Sequence, residues 1–212
     1  MNIVFLFYDG MTALDVIGPH EILGRLPDAK VFRVAKKRGH IYSESSGLVL
    51  LAEHDLSEII TADILLIPGA GSATSMSHDP EVLAWIRKIH VTSTWTTSVC
   101  TGSLILGAAG LLKNINATSH WAVLDRLAGW GATPVNSRVV EDGKIMTAAG
   151  VSAGIDMALV LADRVAGRKI AQTLQLGIEY DPMPPFEAGS PEKVSPEIRE
   201  SLKTRLLMSF EK

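Results

Sequence analysis

Short apolar runs alternate along the chain with segments of helical spacing. Four runs, Ile3–Tyr8, Val31–Ala35, Ile64–Pro68 and Thr94–Val99, are apolar or β-prone at nearly every position. That is the pattern of strands buried on both faces of a parallel sheet. Between them Pro19, Ile22, Leu23 and Leu26 recur at helical spacing, as do Val82, Leu83, Trp85, Ile86 and Ile89. Pro19 and Pro80 each suit a first helical turn, where a missing N–H does no harm. Alternating strands and helices predict right-handed βαβ units. The fold class is therefore α/β: a three-layer sandwich about a mostly parallel central sheet.

Further along, Ser137–Val140 and Ile145–Thr147 flank a turn at Glu141-Asp142-Gly143-Lys144 and predict a hairpin. A long helix follows over Val151–Val165, ended by Gly167, with Ile155, Ala158, Leu159 and Ala162 as its apolar stripe. After Tyr180 the run of prolines and glycines excludes regular structure. A last helix then opens with Ser195 as N-cap and Pro196 at its first position; Leu202, Leu206 and Leu207 form its apolar face. The chain divides into a domain of residues 1–180 and a Pro-rich arm with a terminal helix, 181–212. That helix has two surfaces to pack on, its own domain or a partner subunit, and the sequence leaves both open.

A chain of 212 residues buries roughly 70 % of its surface on folding and needs no staple. The net charge of −3 gives no electrostatic reason for a nucleic-acid or membrane partner. A single cysteine precludes an intrachain disulfide and agrees with a reducing, cytoplasmic setting. The apolar N-terminus lacks a basic lead and a cleavage site, so it reads as a buried first strand. Val91–Leu112 is uncharged until its end but rich in Thr, Ser and Gly, which fits a buried strand, turn and helix better than a membrane span.

The chemistry concentrates in Thr94–Ala109. A β-prone run enters Cys100, small residues flank it, and a helical pattern (Leu104, Ile105, Ala108, Leu111, Leu112) leaves it. This is the layout of a nucleophile elbow, a strained turn that presents a reactive side chain. A thiol there lies at a helix start, which favours the thiolate, and at the carboxyl edge of a parallel sheet, where such folds place their sites. The alternative is a buried cysteine acting as a small hydrophobe. A reactive thiol needs a proton partner and an acceptor for developing charge. Asp15, in the loop and helix start after the first strand, is the candidate acid/base; its alternative role is capping that helix. Gly69, Ala70 and Gly71, within Pro68–Ser72, are the candidate oxyanion donors. Thr101 is placed to bind the thiolate or substrate through its hydroxyl and N–H. His120 is an accessory candidate, as a thiol partner or as a hydrogen-bonded residue at a helix start. The other histidines show no metal-ligand spacing, so neither a metal nor a cofactor is expected.

Phe7-Tyr8-Asp9-Gly10, Leu14–Pro19, Leu66–Gly71, Ser98-Val99-Cys100-Thr101-Gly102 and Ala117-Thr118-Ser119-His120-Trp121 together resemble the PfpI-like superfamily, of class I glutamine amidotransferase-like fold. Glu179–Phe186 is similar to the tail of a subgroup that hydrates isonitriles. The resemblance implies a homodimer, with water added to R–N≡C to give an N-substituted formamide. It also implies Cys100 as nucleophile, Asp15 as acid/base, Thr101 as a further site residue, and no cofactor. Superfamily proteases carry a histidine directly after the cysteine; here Thr101 stands in that place, which speaks against the protease triad. Two other functions share these motifs. One is glyoxalase- or deglycase-like chemistry on reactive carbonyls. The other is a ligand-binding domain related to AraC-type regulators, which requires a helix-turn-helix region. A low-pKa thiol is also open to oxidation, so a redox sensor is a further possibility.

Overall fold

The computed structural model describes residues 1–45, 47–71 and 74–210. In chain order its elements are β1 (Asn2–Leu6), α1 (Ala13–Leu23), β2 (Lys30–Ala35), β3 (Gly39–Tyr42), β4 (Val49–Ala52), β5 (His54–Asp55) and β6 (Ile64–Ile67). Then come α2 (Thr74–Ser77), α3 (Pro80–Thr92), β7 (Trp95–Val99), α4 (Gly102–Ala108), β8 (Asn116–Ala117), a 3-10 segment (Trp121–Trp130) and β9 (Thr133–Pro134). The chain ends with β10 (Val139–Asp142), β11 (Ile145–Ala148), α5 (Ala153–Ala166), α6 (Arg168–Gly177) and α7 (Pro196–Phe210).

Among the described residues the main sheet runs β10-β11-β7-β6-β1-β2-β5. Its pairs are parallel except the β10–β11 hairpin. From β1 the chain crosses to β2 on one side, and from β6 to β7 on the other. Right-handed crossovers in opposite directions put their helices on opposite faces. Accordingly α1 packs with α5 and α5 with α6, while α4 contacts α2 and α3. The predicted three-layer sandwich is what forms. Ile3, Val4, Phe5 and Ile64–Ile67 are wholly buried, as strands covered on both faces must be. Where α5 meets the sheet, a Cβ on Gly154 would lie 3.0 Å from Val99 and 3.2 Å from Pro19. Among the described residues no helix is long and apolar enough to cross a membrane.

Two boundaries differ from the sequence reading. α1 starts at Ala13 behind Thr12, so Pro19 lies inside the helix. It cannot donate to the carbonyl one turn back, and the packing of its ring beside Gly154 favours its place there. The hairpin is tighter than expected because pairing continues to Asp142 and Ile145, leaving Gly143, at φ 59°, in the turn. Pro80 does open α3, behind Asp79, whose carboxylate accepts from the amides of Glu81 and Val82. In α7 the Ser195 hydroxyl accepts from the Ile198 amide at 3.4 Å, and the helix rests on the 3-10 segment of its own chain.

Candidate active site

The carboxyl ends of β1, β6 and β7 lie side by side in the sheet and bring three loops together. β7 is polar for a central strand: Thr96, Thr97 and Ser98 are wholly buried. Two of the hydroxyls are used locally, Thr97 donating to the Leu65 carbonyl at 3.0 Å and Thr96 meeting His90 Nδ1 at 2.8 Å. The strand ends in Cys100, whose φ is +58°, a conformation costing a non-glycine residue about 1 kcal/mol. Its neighbours hold it there. The Cys100 amide donates to the carbonyls of Ala148 and Ala149 at 3.1 and 2.9 Å. Its carbonyl accepts from the hydroxyls of Ser103 at 3.3 Å and Ser119 at 3.1 Å. A Cβ on Gly102 would sit 2.3 Å from the Ile67 carbonyl oxygen, so only glycine lets α4 leave the turn this close to β6. The predicted elbow is present, and Gly102 has a steric reason to be glycine.

The thiol is 5 % exposed, and the amides of Thr101 and Val151 hydrogen-bond to it. Burial pushes the Cys100 thiol well above its ordinary range, the Asp15 charge adds to this, and the two amides pull back. The sequence alone predicts that the helix start favours a thiolate. With α4 only seven residues long and the sulfur enclosed, desolvation prevails over the dipole.

Asp15 is wholly buried in the first turn of α1. Its Oδ2 accepts from the Gly69 amide at 2.8 Å, whereas its buried Oδ1 has no hydrogen-bond partner. The side chain thus bonds across to the loop after β6 and does not cap its own helix. Burial raises the Asp15 carboxyl to about 7, against the Gly69 bond and with help from the Glu44 charge. Two enclosed acids within each other's field titrate as a pair. As pH rises through about 7 the carboxyl of this pair gives up its proton while the thiol keeps its own, and Asp15 Oδ1 has no hydrogen-bond partner.

The loop after β6 has a different job from the one expected. The Gly69 amide is bonded to Asp15, the Ala70 amide to Thr101 Oγ1 at 2.9 Å, and the Gly71 amide to Glu44 Oε2 at 2.8 Å. All three donors are engaged with side chains and do not converge on one point, so the oxyanion assignment to Gly69, Ala70 and Gly71 is corrected. The amides that do meet at the sulfur are those of Thr101 and Val151. Ser72, at the end of that segment, lies outside the described residues. The Thr101 hydroxyl also donates to the Ala70 carbonyl at 2.9 Å; it locks the two loops together, and only its N–H serves the thiol. His120 caps the 3-10 segment, its Nδ1 accepting from the Ala122 amide at 3.3 Å. Burial lowers the imidazole pKa and favours the neutral ring, so of its two readings the structural one holds.

Residues the sequence reading did not single out complete the site. Tyr8, buried at the end of β1's loop, donates its hydroxyl to the Pro68 carbonyl at 2.8 Å. Val151, at φ 27°, brings its amide to the sulfur. Glu44 reaches in from the β3–β4 hairpin. Only Tyr8 had a signal, its place in the Phe7–Gly10 motif. Beside the elbow opens a cavity of about 540 Å³, with Leu14, His120, Arg138, Val151 and Glu192 in its wall. Arg138 is paired with Asp156, and Glu192 of the arm accepts from Asn136 Nδ2 at 3.1 Å.

Comparison with known proteins gives three findings. The sequence model of the DJ-1/PfpI family matches residues 1–164. The chain is 42 % identical over 192 residues to an isonitrile hydratase of Pseudomonas putida, covering 91 % of this chain and 84 % of that protein. A crystal structure of a THiJ/PfpI family protein from Pseudomonas syringae superposes with a TM-score of 0.95 at 39 % identity, over 99 % of this chain and 87 % of that one.

Proposed function

The chain belongs to the DJ-1/PfpI family, and from that premise we propose that it is an enzyme adding water to isonitriles to give N-substituted formamides. The observation that carries this reading is the buried Cys100 thiol coupled to the buried Asp15 carboxyl, whose Oδ1 is unpartnered, in a chain so similar to an isonitrile hydratase. An isonitrile is uncharged, and its terminal carbon must receive both a nucleophile and a proton. Asp15 takes the thiol proton as sulfur attacks that carbon, and returns it to the same carbon. The result is a thioimidate, R–N=CH–S–Cys. The ionised carboxylate then accepts a proton from water, whose oxygen attacks the carbon. Collapse forms the C=O bond, breaks the C–S bond and leaves one proton on nitrogen and one on sulfur. Positioned proton transfer of this kind contributes on the order of 10²–10⁴-fold. The amides of Thr101 and Val151 serve the sulfur as it gains and loses charge. The cavity beside the elbow, about 540 Å³, gives the substituent R its space.

The purified protein should convert an aryl isonitrile to its formamide, followed by product chromatography, with kcat/KM rising as pH increases through about 7, where Asp15 ionises. Consumption of methylglyoxal with no isonitrile turned over would assign the site to carbonyl chemistry instead.

For the assembly we propose a homodimer. Exposed apolar side chains on α1 (Leu14, Ile17) and at the β4 strand (Leu48, Val49, Leu51) support it, since a monomer rarely leaves such a patch open. α1 and β4 are neighbours there, Ile17 and Leu51 lining one groove. Light scattering should return twice the chain mass, and Leu51→Asp should halve it. A monomeric wild-type protein at micromolar concentration would remove the proposal.

A further inference from the structure

Glu44 stands where three backbone segments meet around the cysteine. Its Oε1 accepts from the Thr12 hydroxyl at 2.5 Å, and its Oε2 accepts from the Gly71 amide at 2.8 Å. Its own amide donates to the Met11 carbonyl at 3.1 Å. Around it the same segments are stitched directly. The Thr12 amide donates to the Gly69 carbonyl at 2.8 Å, Gly10 to Tyr42 at 2.7 Å, and Met11 bridges Ala70. One surface side chain thus ties the loop after β1, the loop after β6 and the β3–β4 hairpin.

Thr12 shows that the arrangement is selected against local preference. It is the N-cap of α1, a position where a threonine hydroxyl ordinarily accepts from an amide of its own first turn. Here the hydroxyl makes no such cap bond and donates to Glu44. Forgoing a cap costs a helix stability, and such local losses cluster at functional sites.

We propose that Glu44 is a positioning residue of the active site, acting on Cys100 through the Gly71–Gly69 loop and Asp15. The bond to Gly71 sets the loop whose Gly69 amide orients the Asp15 carboxyl. The bond to Thr12 sets the start of the helix that carries Asp15. The carboxylate also adds its charge to the same enclosure: Tyr8, Asp15, Cys100 and His120 all feel it. At Asp15 and Cys100 it works to keep the proton on the pair. The titratable groups coupled to that pair are therefore Tyr8 from β1's loop and Glu44 from the hairpin.

The inference rests on the proposed hydratase reading only for its kinetic arm. Because Cys100 is the sole cysteine, the rate of alkylation by iodoacetamide against pH reports the pair whatever the substrate is. Glu44→Gln keeps groups that bond to Gly71 and Thr12 but removes the charge; Glu44→Ala removes both. The alkylation limb should move to lower pH by about half a unit in both variants. kcat/KM for the aryl isonitrile should fall about tenfold or more in Glu44→Ala, with most of the loss restored in Glu44→Gln. Should Glu44→Ala not fold, the Glu44→Gln limb decides alone. A limb at its wild-type position in Glu44→Gln overturns the inference. If the wild type alkylates with the expected limb and turns over no isonitrile, the hydratase reading fails and this one stands.

Discussion

Cys100→Ala should form no formamide above the uncatalysed rate, a loss of at least about 10³-fold, while melting within a few degrees of wild type. No other sulfur nucleophile is available, since the chain holds one cysteine. The backbone cost of the turn is the same for alanine, which carries a Cβ at φ +58° as cysteine does. The bonds that hold the elbow run through its amide and carbonyl and survive the change. Cys100→Ser should fail as well. Its hydroxyl is far harder to ionise than a thiol, and Asp15 at about 7 is too weak a base to drive it. Retention of a tenth of the wild-type rate in the alanine variant would remove covalent catalysis from the mechanism.

Asp15→Asn should be nearly inactive, by about 10²–10⁴-fold, and yet gain stability relative to wild type as the pH rises. The sign follows from linkage. The carboxyl is raised in the fold from 3.8 to about 7, so the folded state binds the extra proton between those values. Its contribution is complete below about pH 4 and is lost as pH climbs through 7. Above that, ionised Asp15 costs about 4 kcal/mol, from roughly three units at 1.36 kcal/mol each. Asparagine has no proton to lose and keeps an oxygen for the Gly69 amide. The difference in Tm between variant and wild type, measured at pH 5 and pH 8.5, should therefore increase. Equal differences at both values would mean that Asp15 is not held as a high-pKa acid.

The central sheet was legible because its strands are wetted on neither face, and uninterrupted apolar runs such as Ile64–Ile67 have few other readings. The elbow was legible because a β-prone run, a cysteine, Gly102 and a helical pattern follow one another directly in sequence, and Gly102 is small for a steric reason. Hidden were the parts whose role depends on distant chain. Nothing about Gly69, Ala70 and Gly71 reveals that each amide is taken by a side chain from another element. β3 and β4 are short and half exposed, without the buried alternation that marks a strand, and so Glu44 went unnoticed with them. α6 buries only Ala171. Pro19 was misplaced by a rule about free helices, where tertiary packing against α5 decided the matter.

Asp15 is carried by the helix after β1 and Cys100 by the turn after β7, and β6 lies between those two strands. A chain still missing that middle strand has its sulfur unguarded by any carboxyl and its carboxyl untuned by any enclosure. Chemical competence therefore requires the middle of the sheet to be in place, and catalytic assay across a denaturant series doubles as a gauge of whether the molecule's centre is whole.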